Sequence, residues 1–191
     1  MLLDWDPRHL YRTIFSDPAE MEWFLAHVCT PAWNTAQDKG RPWPEAEAEA
    51  IARHPAYASQ IRVFRSRWHE TVAGPIAGSV AILENLDRAG VPLYAITNFA
   101  SDTLREARSR FPFFRTFRGI TVSGNLKLLK PDPAIYHRFA ADFDVNLNTS
   151  VFIDDSRANV AGAKGVGMTA LHFTTPADLA TDLAALGFPV L

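Results

Sequence analysis

Cysteine, long apolar runs and an excess of one charge are all missing from this sequence of 191 residues. Cys29 is the single cysteine, so no intramolecular disulfide can form, which suits a reducing cytoplasm. Nineteen basic residues against 21 acidic ones give a net charge of −2, which argues against a nucleic acid or an anionic membrane surface as a partner. No apolar run approaches the roughly 20 residues that cross a bilayer. The first residues lack a secretory signal, and we expect a cytoplasmic protein.

The pattern of residues changes at about position 75. From Asp4 to about Gly74 the pattern is helical and rich in aromatic residues. From Pro75 onward, helical patterns alternate with short continuous apolar runs. A chain of this length can form one full-size domain that carries a small insertion.

The second part predicts an α/β fold. Helical spacing of apolar residues, or the placement of proline and glycine, predicts helices near 76–86, 102–110, 133–143, 157–164 and 176–186. Apolar runs predict strands at 91–96, 120–122, 151–153 and 168–173. The unbroken run from Val91 to Ile96 is typical of a strand that is covered on both faces. Alternating strands and helices predict a parallel sheet with right-handed crossovers.

Polar residues follow three of these strands, where parallel sheets bind ligands. Asp154 and Asp155 come directly after an apolar strand. Two adjacent carboxylates repel each other and are costly to bury, and a bound Mg²⁺ would remove that cost. The alternative is that Asp155 or Ser156 only caps the helix beginning near Arg157.

The other two groups also have a functional and a structural interpretation. Thr97 and Asn98 end a strand before a helix whose free N–H groups could face an anion, or they begin an ordinary turn. Lys130, just before Pro131, could balance phosphate charge, or it could be a solvated lysine. A hydroxyl, a lysine and an acidic pair at successive strand ends together favour phosphoryl transfer.

Three stretches in the same order resemble motifs of the haloacid dehalogenase superfamily. They are Tyr94–Asn98, Leu129–Tyr136 and Val151–Val160, and the resemblance covers nearly the whole chain. It implies a Rossmann-like α/β core with an inserted helical cap. The domains expected from it are a first core segment at 1–9, a helical cap at 10–74 and a Rossmann-like catalytic core at 75–191.

The resemblance also implies a chemistry, in which an aspartate attacks phosphorus and the aspartyl-phosphate is then hydrolysed. Thr97 would bind the transferring phosphoryl group, Lys130 would steady nucleophile and phosphate, and Asp154 with Asp155 would hold Mg²⁺. The supporting polar groups would be Asn98, which contacts the substrate, and Asn159. The expected substrate is a small phosphorylated metabolite, and the oligomeric state is left open.

The first motif of that family is an apolar strand ending in the nucleophilic aspartate, after which the chain forms a loop. The stretch Leu2–Arg8 resembles the segment on the far side of that loop, so we expect the nucleophile to lie upstream of Met1 and the natural start to be earlier. Asp4 and Asp6 are an alternative, but only three residues precede Asp4, fewer than the roughly five of a central strand. Without the strand, neighbouring strand edges and apolar faces would be uncovered.

Two other functions compete with a phosphatase. A 2-haloacid dehalogenase uses the same aspartate chemistry on carbon without metal, but such relatives carry a Ser-Ser-Asn-like stretch in place of Asp154-Asp155-Ser156. An inactive relative that binds a ligand or partner is the second alternative.

Most aromatic residues of the expected cap are predicted to form its core. One or two of them, together with Gln37 or Arg41, are expected to face the substrate. The aromatic residues in question are Trp23, Phe24, Trp33, Trp43, Phe64 and Trp68.

Overall fold

The computed structural model of the protein describes residues 1–189. Its strands are β1 (Leu3–Trp5), β2 (Val72–Pro75), β3 (Tyr94–Thr97), β4 (Gly119–Val122), β5 (Val151–Asp154) and β6 (Thr169–His172). Its α-helices are α1 (Pro7–Tyr11), α2 (Pro18–His27), α3 (Pro31–Asp38), α4 (Trp43–Arg53), α5 (Ala58–Ser66), α6 (Ala77–Arg88), α7 (Ser101–Arg110), α8 (Ser123–Leu126), α9 (Pro133–Phe143), α10 (Arg157–Gly165) and α11 (Pro176–Ala185). Short 3₁₀ turns lie at Pro55–Tyr57, Trp68–Thr71, Pro112–Thr116 and Leu147–Thr149.

The strands pair in three separate ladders. β3 pairs with β4 and β5 pairs with β6, both in parallel, as the alternation of helices and strands predicts. β1 and β2 pair antiparallel at the two ends of the helical N-terminal region. Within residues 1–189, β3 and β5 are not joined to each other, so the parallel strands do not form one continuous sheet.

The first parallel strand is shorter and more open than its sequence predicts. The apolar run begins at Val91, but β3 begins at Tyr94. The prediction that this strand is covered on both faces is wrong, because every residue of β3 is only half-buried. The cause is the open space beside β3, on the side that faces β5.

Helices α1 to α5 form the N-terminal helical region. Proline in the first turn and a preceding polar residue that accepts a backbone N–H start α2 at Asp17 and α3 at Thr30. Their apolar faces pack into a core that continues into the second part of the chain through Leu83 and Leu104. Trp23 is an exception to the expected aromatic core, since it is 44% exposed. The domain limits at 10–74 and 75–191 stay a prediction.

Helices α9 and α10 hold the loops that follow the parallel strands. The Asp132 carboxylate accepts the Ala134 N–H at the start of α9, and Ser156 caps α10. Gly162 of α10 lies against Pro131, where a Cβ atom would come within 2.6 Å of the Pro131 carbonyl oxygen. The two loops are therefore packed directly against each other. None of the helices described at residues 1–189 is both long and apolar enough to cross a membrane.

Candidate active site

A cavity of about 860 Å³ opens between β3 and β5. All six site residues predicted from the sequence line it. They are Thr97, Asn98, Lys130, Asp154, Asp155 and Asn159. The structure therefore brings together residues that are up to 62 positions apart in sequence, and Lys130 contacts the ends of both β3 and β5 there.

Lys130 is the residue that connects the two strand ends. Its Nζ donates to the Ile96 carbonyl oxygen and to Asp154 Oδ2, each at 2.7 Å. The side chain is 10% exposed, which differs from the solvated lysine that was the structural alternative. A buried ammonium held by a carboxylate at this position supplies a fixed positive charge in the cavity.

Asp154 is buried and accepts three hydrogen bonds. Besides Lys130, it accepts through Oδ1 from the Ser156 backbone N–H and from Asn159 Nδ2, each at 2.9 Å. Ser156 also caps α10, as the capping interpretation predicts, and the role of the acidic pair in binding a metal stays a prediction. A carboxylate has about four lone-pair positions, and three are used, so one remains for a cation.

Asp155 is much more accessible than Asp154, with its side chain 62% exposed. Its Oδ2 lies 3.0 Å from the Met1 ammonium group. Burial of the group would raise the pKa of Asp155, but the charge and hydrogen bond of that ammonium outweigh it, and the pKa lies below the ordinary value. Asp155 is thus ionised at neutral pH and already faces a positive charge.

Asn98 clamps the loop after β3 to the loop before α9. Its Nδ2 donates to the Lys130 carbonyl at 3.0 Å, and its Oδ1 accepts the Lys130 N–H at 2.8 Å. The neighbouring Thr97 Oγ1 is buried and has no hydrogen-bond partner among the described residues. An unpartnered buried hydroxyl is costly, so Thr97 has a donor that a ligand oxygen could accept.

The helical region contributes residues that sequence reasoning missed. Asn34 and Asp38 of α3 line the cavity, whereas Gln37 and Arg41 do not. Burial raises the pKa of Asp38 to about 7, although its hydrogen bond from the Ala100 N–H opposes the shift. The i, i+4 spacing of Asn34 and Asp38 on one helix face was the available signal, but only the tertiary structure shows where that face points.

Two aromatic residues of the same region, Trp43 and Trp68, also line the cavity. Asp4 and Asp6, the alternative first motif, do not. Asp4 is 3.3 Å from His9 on the exposed face of β1, and Asp6 caps α1 by accepting the Arg8 N–H. Neither acid is placed to act on a ligand in the cavity.

The donor set suits Mg²⁺ better than a metal that needs a full protein cage. Among residues 1–189, no group of three or more His, Cys, Asp and Glu side chains is arranged to hold a metal. Asp154 and Asp155 can supply two carboxylates, and Mg²⁺ is commonly held by one or two carboxylates together with water and phosphate oxygens.

Comparison with known proteins connects this geometry to one family. The sequence profile of haloacid dehalogenase-like hydrolases matches residues 37–173. A sesquiterpene phosphatase of Aspergillus oryzae is 30% identical over 112 residues, which are 59% of this chain. The match spans 57% of that protein's length.

Solved structures share the fold. An enzyme of that family from Bacteroides thetaiotaomicron, crystallised with magnesium and inorganic phosphate, superposes with a TM-score of 0.66 at 19% identity, over 91% of this chain and 89% of its own. The L-2-haloacid dehalogenase of Xanthobacter autotrophicus superposes with a TM-score of 0.62 at 15% identity, over 95% and 78%. These similarities establish a Rossmann-like α/β fold for the chain.

Proposed function

The chain belongs to the haloacid dehalogenase-like hydrolase family, and from this premise we propose that it is a Mg²⁺-dependent phosphatase of small phosphorylated metabolites. One observation carries the proposal. Lys130 joins the ends of β3 and β5 through Ile96 and Asp154, in a cavity where the Thr97 hydroxyl has no partner. A fixed cation and a free donor beside an acidic pair suit a phosphoryl group with a bound magnesium ion.

The residues take separate roles in the proposed reaction. The Thr97 hydroxyl donates to a phosphoryl oxygen, and Lys130 balances its negative charge. Asp154 and Asp155 would hold Mg²⁺, which when bound neutralises charge on the phosphoryl oxygens. Asn98 fixes Lys130 by holding its backbone at both N–H and C=O, so the ammonium group needs no rearrangement when substrate binds.

The proposed chemistry has two steps. A carboxylate oxygen attacks phosphorus, the bond from phosphorus to the leaving oxygen breaks, and that oxygen takes a proton to give an alcohol. Water then cleaves the acyl phosphate, releasing inorganic phosphate and restoring the carboxylate. Asp154 is committed to Lys130, Ser156 and Asn159, so we propose that the attacking aspartate comes from outside this cluster, as the family resemblance implies.

The helical region favours a substrate with an apolar leaving group. Trp43, Trp68 and Phe99 line the cavity close to Asn34 and Asp38. The sesquiterpene phosphatase that matches part of this chain makes a prenyl phosphate a sensible first substrate. A sugar phosphate of similar size is the comparison, and we expect the prenyl ester to have the higher kcat/KM.

The test is phosphate release from an aryl phosphate by the full-length product of the gene that encodes this sequence. We expect Mg²⁺-dependent hydrolysis that falls by about a hundredfold or more in Asp154→Asn, since this change weakens both the metal site and the ion pair with Lys130. Asp87→Asn changes an exposed acid that does not line the cavity; it is the matched control and should keep full activity.

Two outcomes would contradict the proposal. Equal activity in Asp154→Asn would remove Asp154 from the metal site. Halide release from a 2-haloacid without Mg²⁺, in place of phosphate release, would assign the site to a dehalogenase.

A further inference from the structure

We propose that a surface cavity beside α7 is a binding site for an oligophosphate, a compact ligand with two or more linked phosphate groups. This cavity, the arginine groove, has a volume of about 460 Å³, which is in the range of small-molecule sites. Its charged and polar lining residues are Ser101, Arg105, Arg108, Ser109, Arg115 and Asn125. None of the six residues assigned to the phosphatase site lines it, so the inference goes beyond the proposed function.

The first argument is the division of charge on α7. Asp102 and Glu106 both accept from the Arg65 guanidinium of α5, at 2.7 Å and 3.3 Å. Arg105 and Arg108 lie on a different face of the same helix and line the arginine groove. Asp102 and Arg105 have the i, i+3 spacing of a helical ion pair, but no such pair forms among the described residues. Because the acids of α7 are committed to Arg65, they leave the groove arginines without a neutralising carboxylate.

The second argument is the gathering of three free guanidinium groups. Arg105, Arg108 and Arg115 are exposed, and within residues 1–189 none of their side chains makes an ion pair or a hydrogen bond. Like charges three positions apart on a helix repel each other, and Arg115 brings a third positive charge from the turn at Pro112–Thr116. A bound anion would offset this repulsion. A guanidinium group suits phosphate in particular, because it can donate two parallel N–H bonds to phosphate oxygens.

The third argument concerns the size and charge of the ligand. The arginines belong to two separate elements, so they can engage more than one anionic group. The Ser101 hydroxyl donates to Asn125 Oδ1, which leaves Asn125 Nδ2 as a neutral donor in the groove. Leu104 and Phe114 also line it, which limits the polar surface to a small area. The net charge of −2 for the whole chain disfavours an extended polyanion such as nucleic acid, so we infer a compact one.

The test is a calorimetric titration of the 191-residue chain with tripolyphosphate. The buffer contains a chelator, so that no complex of phosphate with a metal ion binds elsewhere, and has an ionic strength of about 0.15 M, which screens distant surface charges. We expect saturable binding of one tripolyphosphate per chain, with shifts of the amide NMR signals of α7 and of the turn at 112–116. Orthophosphate should bind at least about tenfold more weakly, because one phosphate group engages fewer guanidinium groups.

Protein variants test the location. Arg108→Gln and Arg115→Gln each remove one charge from a different element of the groove, and each should weaken tripolyphosphate binding by about tenfold, the usual contribution of a hydrogen bond to a charged group. Arg62→Gln removes an exposed charge from α5, outside the groove. It is the matched control and should change the affinity by less than about twofold, because its charge is screened. Circular dichroism of the three variants verifies that the fold is retained.

Three outcomes would overturn the inference. Absence of saturable binding, or unchanged affinity in Arg108→Gln and Arg115→Gln, would remove the arginine groove as the site. An equal loss of affinity in Arg62→Gln would show that tripolyphosphate responds to the overall charge of the chain. Equal affinity for orthophosphate would exclude an oligophosphate as the preferred ligand. None of these measurements uses phosphatase activity, so a failure of the proposed function would leave the groove untouched.

Discussion

At the residue scale, the ion pair between Lys130 and Asp154 decides how the site holds its charge. Both side chains are nearly inaccessible to solvent, and burying two charges is favourable only if their remaining polar atoms are satisfied. Here Lys130 also donates to the Ile96 carbonyl oxygen. Asp154 also accepts from the Ser156 backbone N–H and from the Asn159 side-chain amide. The pair is thus part of a buried network in which removal of one member leaves the charge of the other unbalanced.

Replacement of Lys130 by methionine tests this network. We expect Lys130→Met to lower the free energy of unfolding by about 3 kcal/mol, because it leaves a buried carboxylate without its cation. Lys164→Met changes an exposed lysine on α10 and should alter stability by less than about 0.5 kcal/mol. Urea unfolding of both variants measures the difference, and equal stabilities would mean that the Asp154 charge is balanced elsewhere.

Asp38 gives a prediction about pH. Burial raises its pKa from an ordinary 3.8 to about 7, so between these values the folded chain keeps a proton that the unfolded chain has lost. The contribution of Asp38 to the free energy of unfolding therefore falls as the pH rises from 3.8 to about 7. Asp38→Asn lacks this pH-dependent loss of stability, because asparagine does not titrate. We expect the variant to gain about 1 kcal/mol relative to the parent between about pH 4 and about pH 8, after allowance for solvent screening of a half-buried group.

Chemical denaturation at several pH values measures that gain. Asp87→Asn, at an exposed position, is the reference and should show no comparable pH-dependent difference. A constant difference between Asp38→Asn and the parent at all pH values would show that the pKa of Asp38 is the same in the folded and unfolded chains.

At the scale of elements, the packing of α10 on the loop before α9 predicts opposite effects for two glycines of one helix. A Cβ atom at Gly162 would overlap the Pro131 backbone, whereas one at Gly165 would meet nothing within 4 Å. We expect Gly162→Ala to destabilise by about 1–3 kcal/mol, and Gly165→Ala to stabilise by up to about 1 kcal/mol through helix propensity. Thermal unfolding measures both, and a stabilised Gly162→Ala would show that the loop yields without cost.

Local signals predicted the elements well where capping residues are present. The sequence predicts a helix at 133–143, and α9 has these bounds because Asp132 and Pro133 define its start. β3 was predicted three residues too early at Val91, since an apolar run does not reveal where its backbone finds a partner. The clustering of Thr97, Lys130 and Asp154 followed from the rule that parallel strands end at one edge. The contribution of Asn34 and Asp38 did not follow, because the placement of one region over another depends on long-range packing.

At the scale of the whole molecule, the helical region and the second part of the chain share one core. Buried residues from both belong to the same cluster. Asp102 of α7 also accepts from Trp43 Nε1 at 3.2 Å and from Arg65 Nε at 2.7 Å. A shared core and these links favour unfolding as a single unit.

The distribution of tryptophan makes that expectation measurable. All five tryptophans lie between positions 5 and 68, so their fluorescence reports on the helical region, whereas far-ultraviolet circular dichroism reports on all helices. We expect the two denaturation curves to coincide. An earlier transition in fluorescence would show that the helical region unfolds by itself, in which case Arg65→Met should widen the separation.

The bonds made by Asp38 and Ser123 also constrain how such a protein can be re-engineered. The Ser123 hydroxyl donates to the Asp38 carbonyl at 2.6 Å and accepts the Phe99 N–H at 2.8 Å, and the Asp38 carboxylate accepts the Ala100 N–H. A helical insert transplanted from a homologue would break these contacts unless it brought an equivalent acceptor with it. Exchange of the helical region to change specificity should therefore succeed only when Asp38, at the end of α3, is kept compatible with the segment at 99–100 and with Ser123.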